Sequence, residues 1–147
     1  MIKNYVTDTN SIISYFNDVF SVPQILSARA RSIIHLAIDI HSSDVRLSIP
    51  SVVFLEIYDK YFVDEEIARK IRYEVFEPIK NSPNIEIKPL EQEVLENLLK
   101  ISDELKSHEI HDKIVLASAM MLNCALITTD GSLIGYIKKH RVISFIN

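Results

Sequence analysis

The chain has 147 residues, of which 48% are apolar and 24% charged, and this predicts one soluble domain over residues 1–147 whose core needs no cross-links. Its single cysteine, Cys124, excludes a disulfide framework and a cysteine-based zinc site within the chain, which favours a reducing, cytoplasmic setting. No apolar run reaches the roughly 18 residues of a membrane span, and the net charge of −4 argues against a protein that coats nucleic acid.

Hydrophobic periodicity and helix-cap residues divide the chain into short strands that alternate with helices. In chain order the predicted elements are a strand at 2–7, helices at 9–17 and 24–41, a strand at 45–49, helices at 51–59 and 64–76, a strand at 85–87, helices at 90–105 and 111–122, a strand at 125–128, a helix at 132–138 and a strand at 142–145. The strands are rich in Val and Ile, as strands covered on both faces are. This order predicts an α/β fold with a parallel sheet and helices on both faces.

Four acidic residues occupy positions where an open parallel sheet usually binds its ligand. Such ligands lie beyond the carboxyl ends of the strands, at the point where the strand order reverses. Asp8 follows the first predicted strand, and Asp130 follows the fourth. Glu56 lies in the helix after the second strand, and Asp112 lies at the start of the helix at 111–122. We therefore take these four carboxylates as the candidate site.

Each of these acids also has a purely structural interpretation. Asp8 is a favourable N-cap for the helix after it, Asp112 offsets a helix dipole, and Asp130 precedes a glycine in a common turn pair. Glu56 differs, because it interrupts an apolar helical stretch in which an unpartnered carboxylate is costly. Either a bound cation or a salt bridge to a buried Arg or Lys would keep it charged.

A divalent cation explains why several carboxylates would be gathered in one place. Mg²⁺ takes oxygen ligands and retains waters, and two such ions about 3.5–4 Å apart can clamp the attacking and leaving oxygens of a phosphodiester displacement. Without metal, carboxylates so near to one another would not all ionise. We therefore expect raised carboxyl pKa values or a less stable fold. If four of the 20 acidic residues hold cations, the remaining 16 acidic residues balance the 16 basic ones, and the rest of the surface is neutral. The net charge therefore does not exclude a nucleic-acid substrate.

Four segments of the sequence resemble the motifs of the PIN domain, the fold of the VapC-type toxin ribonucleases. The segments are YVTDTN with Asp8 and Asn10, SIPSVVFLE with Glu56, HDKIVLASAM with Asp112, and CALITTD with Thr128 and Asp130. The third segment is the most specific, because it is close to the family's Asp-basic-x-Ile-x-x-Ala-x-Ala pattern. The four segments follow one another in the family's order and lie on the expected strands and helices.

The resemblance implies a three-layer α/β/α fold with a five-stranded parallel sheet in the order 3-2-1-4-5. It also implies Mg²⁺- or Mn²⁺-dependent hydrolysis of RNA by an enzyme that is frequently a homodimer and that, in toxins, is inhibited by a small antitoxin protein. The residues it assigns to catalysis and metal binding are Asp8, Glu56, Asp112 and Asp130. Of these, Glu56 would either ligate an ion or orient the attacking water. Asn10 and Thr128 would hold the carboxylates by hydrogen bonds.

Several residues near the candidate acids have two open interpretations. His108 and His111 contact phosphate or metal in one interpretation and form a solvated helix start in the other, which the sequence favours. Lys113 suits a phosphate contact as well as it suits a surface position. The basic run at 138–141 would steer RNA in one interpretation, but such a short run is more typical of a solvated turn.

Three other functions compete with a nuclease. A phosphohydrolase of the haloacid-dehalogenase type starts with Asp-x-Asp, and here Asn10 takes the second position. A nucleotide-binding module needs a glycine-rich loop, which two late glycines at 131 and 135 cannot form. A PIN-like domain that binds RNA or protein without cleaving is opposed by the complete set of four acids. It stays open because Gly131, Ser132 and Leu133 stand where many family members carry a further acidic or aromatic residue.

Overall fold

The computed structural model describes residues 1–105 and 108–147. Its elements are β1 (Lys3–Thr7), α1 (Thr9–Tyr15), α2 (Asn17–Phe20), α3 (Ala28–Ile38), β2 (Val45–Pro50), α4 (Ser51–Tyr61), α5 (Glu65–Lys70), a π-helical segment (Ile71–Phe76), α6 (Glu77–Asn81), β3 (Ile85–Lys88), α7 (Gln92–Leu98), a 3₁₀ turn (Asp103–Leu105), α8 (Ile110–Leu122), β4 (Ala125–Ile127), α9 (Gly131–His140) and β5 (Phe145–Ile146). Within these described ranges, no helix combines the length and the apolar character needed to span a bilayer.

The five strands form one parallel sheet in the order β3-β2-β1-β4-β5. This confirms the predicted three-layer α/β/α fold and its strand order. At the centre of the sheet, Tyr5 of β1 is flanked by Leu47 of β2 and Ala125 of β4. The order reverses between β1 and β4, and these are the strands after which Asp8 and Asp130 stand.

The core lies on both sides of the central strands. Val6, Leu126 and Ile127 have no exposed surface, because consecutive residues of a strand point to opposite faces and both faces are covered. Ile34 of α3 and Leu116 of α8 are equally buried. Truncating one of these side chains to alanine costs about 2–5 kcal/mol. The sheet is therefore a rigid base for the residues that follow its strands.

Helix α3 is shorter than the helix predicted at 24–41. The side-chain oxygen of Gln24 accepts hydrogen bonds from the Ser14 hydroxyl and from the N–H of Leu26, which holds this segment outside the helix. Ser27 then caps α3 through its side chain. Apolar spacing extended the prediction past this cap, because spacing alone does not show where a polar side chain captures the backbone.

The helix predicted at 90–105 is also shorter, and α7 covers only its first part. The N–H of Ser102 donates to the hydroxyl of Tyr136 in α9 at 3.1 Å instead of to a carbonyl of a continuing helix. Val94 and Leu105 are nevertheless both buried, as the apolar stripe predicts. Beyond the end of α7 at Leu98, the backbone therefore makes a tertiary hydrogen bond where the local pattern predicts a continuing helix.

The helix predicted at 64–76 instead continues to Asn81, through the π-helical segment between α5 and α6. Pro78 lies in the first turn of α6 and offers no N–H to the carbonyl of Glu74. Wider turns ahead of the proline ring accommodate it without breaking the helix.

The last strand is shorter than the strand predicted at 142–145 and lies later in the chain, since β5 covers Phe145–Ile146 and its pairing with β4 begins at Phe145 rather than at Val142.

Candidate metal centre

The four predicted acids lie close enough for their charges to affect one another. The charges of Glu56, Asp130 and Asp8 all contribute to raising the pKa of Asp112. The charge of Asp130 likewise contributes to raising the pKa of Asp8. Elements that are far apart in sequence supply these side chains, and the strand-order reversal brings their ends together.

Asp8 is the most enclosed of the aspartates, with 3% of its surface exposed. It is the N-cap of α1, and one carboxylate oxygen, Oδ1, accepts the N–H of Ser11 at 2.9 Å. Burial raises the pKa of Asp8, while hydrogen bonds from Ser11 and Thr128 oppose that rise. The capping interpretation of Asp8 therefore holds, and the same side chain lies near the charge of another carboxylate.

Asp130 has the same double position at the start of α9. Its Oδ1 accepts the N–H groups of Ser132 at 2.9 Å and Leu133 at 3.1 Å. Nε2 of His108 lies 3.4 Å from both Oδ1 and Oδ2. The carboxylate thus stabilises the helix end and also contacts a neighbouring site residue.

Thr128 links these two aspartates, and it has no exposed surface. Its Oγ1 accepts the N–H of Asp130 at 3.1 Å, and its side chain is hydrogen-bonded to Asp8. Asn10 is exposed at the cleft beside the site. Among the described residues, no hydrogen bond joins its amide to any of the four carboxylates.

Glu56 is buried in α4, with 4% of its surface exposed, and has two positively charged or chargeable neighbours. Nζ of Lys60 lies 3.6 Å from its Oε1, and Nδ1 of His111 lies 3.2 Å from its Oε2. The salt bridge anticipated for a buried carboxylate is therefore present, but its lysine is 45% exposed rather than buried. Solvent weakens such a pair, so it leaves Glu56 available to a stronger cation.

The pKa of the Asp112 carboxyl is also raised. It lies in the first turn of α8, and its pKa is raised from 3.8 to about 6, chiefly by burial and then by the charges of Glu56 and Asp130. The nearby His108 acts in the opposite direction. Perturbed carboxyl groups that share a cleft are typical of functional sites.

His108 and His111 lie against the acids of the site, although the sequence favoured a solvated helix start for both residues. His108 lies against Asp130 with only 13% of its side chain exposed. Its Nδ1 is buried and has no hydrogen-bond partner among the described residues. His111 contacts Glu56 and also Glu109. Their closeness to Asp112 in the sequence was the available signal, but only the packing of α8 shows which way they face.

The donor atoms fit a divalent cation. Two groups each have one potential ligand atom per residue within 4.8 Å of the others, namely His108 with Asp112 and Asp130, and Glu56 with Glu109 and His111. Carboxylate oxygens are the ligands of Mg²⁺ and Mn²⁺, and imidazole suits transition metals. A cleft of about 230 Å³ opens onto the site, lined by Asn10, Glu56, Lys60, His108, Glu109 and Asp112.

Comparison with known proteins places this geometry in a family. The PIN domain family model matches residues 5–136. Among solved structures, VapBC2 from Rickettsia felis bound to a promoter DNA fragment is 15% identical, with a TM-score of 0.64 and coverage of 98% of each chain. FitAcB from Neisseria gonorrhoeae is 16% identical, with a TM-score of 0.63 and coverage of 97% of this chain and 96% of that one.

DNA-bound VapBC from Salmonella typhimurium is similarly 16% identical, with a TM-score of 0.64 and coverage of 99% and 97% of the two chains. At these identities the likeness supports the fold. No curated protein sequence matches the chain.

Proposed function

The chain belongs to the PIN domain family, whose members are nucleases, and from this premise we propose that it is a Mg²⁺- or Mn²⁺-dependent endoribonuclease. The observation that carries the proposal is the gathering of Asp8, Glu56, Asp112 and Asp130 at the strand-order reversal, where the charges of the other three acids contribute to raising the pKa of Asp112. A cluster of this kind is stable as carboxylates only beside positive charge. Divalent cations supply that charge in phosphodiester hydrolysis.

In the proposed mechanism, the chain's residues bind and orient. The carboxylates of Asp8, Asp112 and Asp130 would hold the ions, and Thr128 ties the Asp8 side chain to the backbone N–H of Asp130. Glu56 either ligates as well or orients the attacking water. When bound, the cation polarises the phosphodiester and favours deprotonation of the water. Lys60, half-exposed at the cleft, places a positive charge where an RNA phosphate approaches.

We also propose that the chain acts as one domain over 1–147, in the cytoplasm, as a homodimer and as the toxin partner of a small antitoxin protein. Its likeness to VapBC structures over nearly the whole of both chains supports this assignment.

A surface for a protein partner is available beside α4 and the π-helical segment, where Leu55, Val63 and Tyr73 are each more than half exposed. Apolar side chains left exposed in this way are typical of interaction surfaces.

The test is cleavage of single-stranded and structured RNA by the purified chain with Mn²⁺ or Mg²⁺. Asp8→Asn should abolish cleavage while retaining the fold, because Asn is as good an N-cap as Asp and lacks only the charge. EDTA should abolish wild-type cleavage. The matched control is Asp59→Asn, which changes an exposed carboxylate of α4 and should cleave like wild type.

Three results would overturn the proposal. The first is full activity in Asp8→Asn, with melting curves that show the variant and wild type to be folded. It would mean that the Asp8 carboxylate is not needed for cleavage. Cleavage that persists in EDTA would point to a different chemistry. A wild-type chain that binds RNA but does not cleave it with either metal would instead favour the non-catalytic PIN-like module.

A further inference from the structure

Glu56, Glu109 and His111 form a compact group at the junction of α4 and α8. Nδ1 of His111 lies 3.2 Å from Oε2 of Glu56 and 3.3 Å from Oε2 of Glu109. Two ligands that each lie about 2.1 Å from one ion, at tetrahedral or octahedral angles, are about 3.0–3.4 Å apart. The spacing around the imidazole nitrogen therefore matches that of ligands sharing an ion.

The group is held in place by its supporting elements. Glu56 is buried in α4, Glu109 is the N-cap residue of α8, and His111 follows in the first turn of that helix. The side chain of Glu109 is 60% exposed, and that of His111 is 29% exposed. An ion can thus enter from solvent and reach a buried carboxylate behind an accessible one.

A cation of the protein already lies between the two glutamates. Nζ of Lys60 is 3.6 Å from Oε1 of Glu56 and 4.0 Å from Oε2 of Glu109. This side chain is 45% exposed and flexible, so it can leave when a more strongly attracted ion arrives. The ammonium lies within ion-pairing distance of both glutamates, as a cation at this position would.

We propose that Glu56, Glu109 and His111 form a second metal subsite, which takes a transition-metal ion such as Zn²⁺ in preference to Mg²⁺. The preference follows from the imidazole, because Mg²⁺ favours oxygen ligands and nitrogen ligands favour later divalent metals. The inference extends the proposed function, since Glu56 is shared with the proposed catalytic carboxylates. It assigns Glu109 and His111 a binding role of their own.

The experiment measures metal binding to the full chain without RNA. Calorimetric titrations with Zn²⁺ and with Mg²⁺ compare wild type with His111→Gln and Glu109→Gln. Each substitution should weaken Zn²⁺ binding at least about tenfold, as loss of a ligand or its support does, and should leave Mg²⁺ binding within about threefold. His41→Gln, which removes an exposed histidine outside the site, is the control and should bind both ions like wild type.

Nitrogen NMR of the imidazoles locates the ion. One equivalent of Zn²⁺ should shift the Nδ1 resonance of His111. The inference is overturned if that resonance does not move, if His111→Gln keeps wild-type Zn²⁺ affinity, or if His108→Gln alone removes the Zn²⁺ preference. Because no RNA is present, these results do not depend on cleavage. The metal-binding inference can therefore be supported or overturned even if the chain has no ribonuclease activity.

Discussion

Replacing Asp112 by Asn should stabilise the metal-free protein at neutral pH. The folded state holds this carboxyl with a pKa of about 6, against 3.8 for an unperturbed aspartate. Above pH 6 the charged form is therefore less favourable in the folded state than in the unfolded chain. This destabilisation is fully present above the folded pKa and is lost as the pH falls through 6 towards 4, where the folded state takes up the proton first. Asparagine lacks the charge at every pH.

The magnitude follows from the pKa and the exposure. A rise from 3.8 to about 6 corresponds to about 3 kcal/mol for the charged form. Asp112 is only half-buried, so solvent screening reduces this to roughly 1.5 kcal/mol. The substitution also removes a favourable charge from the first turn of α8, which costs about 0.5 kcal/mol. The net gain of about 1 kcal/mol corresponds to a rise of about 3 °C in Tm for a chain of this size.

The assay is thermal unfolding in EDTA at pH 7.5 and at pH 5, with Asp59→Asn as the exposed control. The Asp112→Asn protein should melt about 3 °C above wild type at pH 7.5, and the difference should shrink at pH 5. Saturating Mg²⁺ should also reduce the difference, because the ion stabilises only the protein that retains its ligand. A fall of several degrees at pH 7.5 in EDTA would refute the reasoning and show that Asp112 serves mainly the helix start.

Substitutions at two further positions, Asp130 and Asn84, test structural roles in the same assay. Asp130→Ala should lower Tm by about 3 °C because it removes the N-cap of α9. Asp130→Asn keeps the cap and should melt at or above wild type. Equal melting temperatures for these two variants would exclude the capping role. Asn84→Ala should lower Tm by about 3–6 °C, because a buried amide that donates to the Ile40 carbonyl at 2.8 Å is lost. The exposed Asn81→Ala is its control, and an equal loss in both would contradict the assignment.

The placement of Asp8 and Asp130 was predictable because it depends on local pattern and on one general property of parallel sheets. Each residue follows a short apolar strand, and the ends of such strands meet at the reversal of strand order. The order itself came from the family resemblance and is confirmed. For this reason the fold and the position of these two acids could be derived without knowledge of tertiary contacts.

The neighbours of Glu56 could be predicted only in part. The contact with Lys60 joins positions four apart on one helix, so it was accessible from spacing alone. The contact with His111 joins α4 to α8, and it depends on how these helices pack. Nothing in the periodicity of either helix specifies that packing. The start of α3 at Ala28 and the end of α7 at Leu98 were also missed, because apolar spacing does not specify the hydrogen bonds that Gln24 and Ser102 make outside these helices.

The double use of Asp8 and Asp130 has an evolutionary consequence. Each supplies an oxygen to a helix end, a task that an amide oxygen performs equally well. A single-base change from aspartate to asparagine would therefore remove negative charge without removing the cap. Descendants of such a gene would inherit a well-folded chain with no selective penalty from misfolding, and they would be free to acquire binding roles. Under the proposed function, the side-chain charge at these two positions, rather than the fold, would decide whether a chain cleaves RNA.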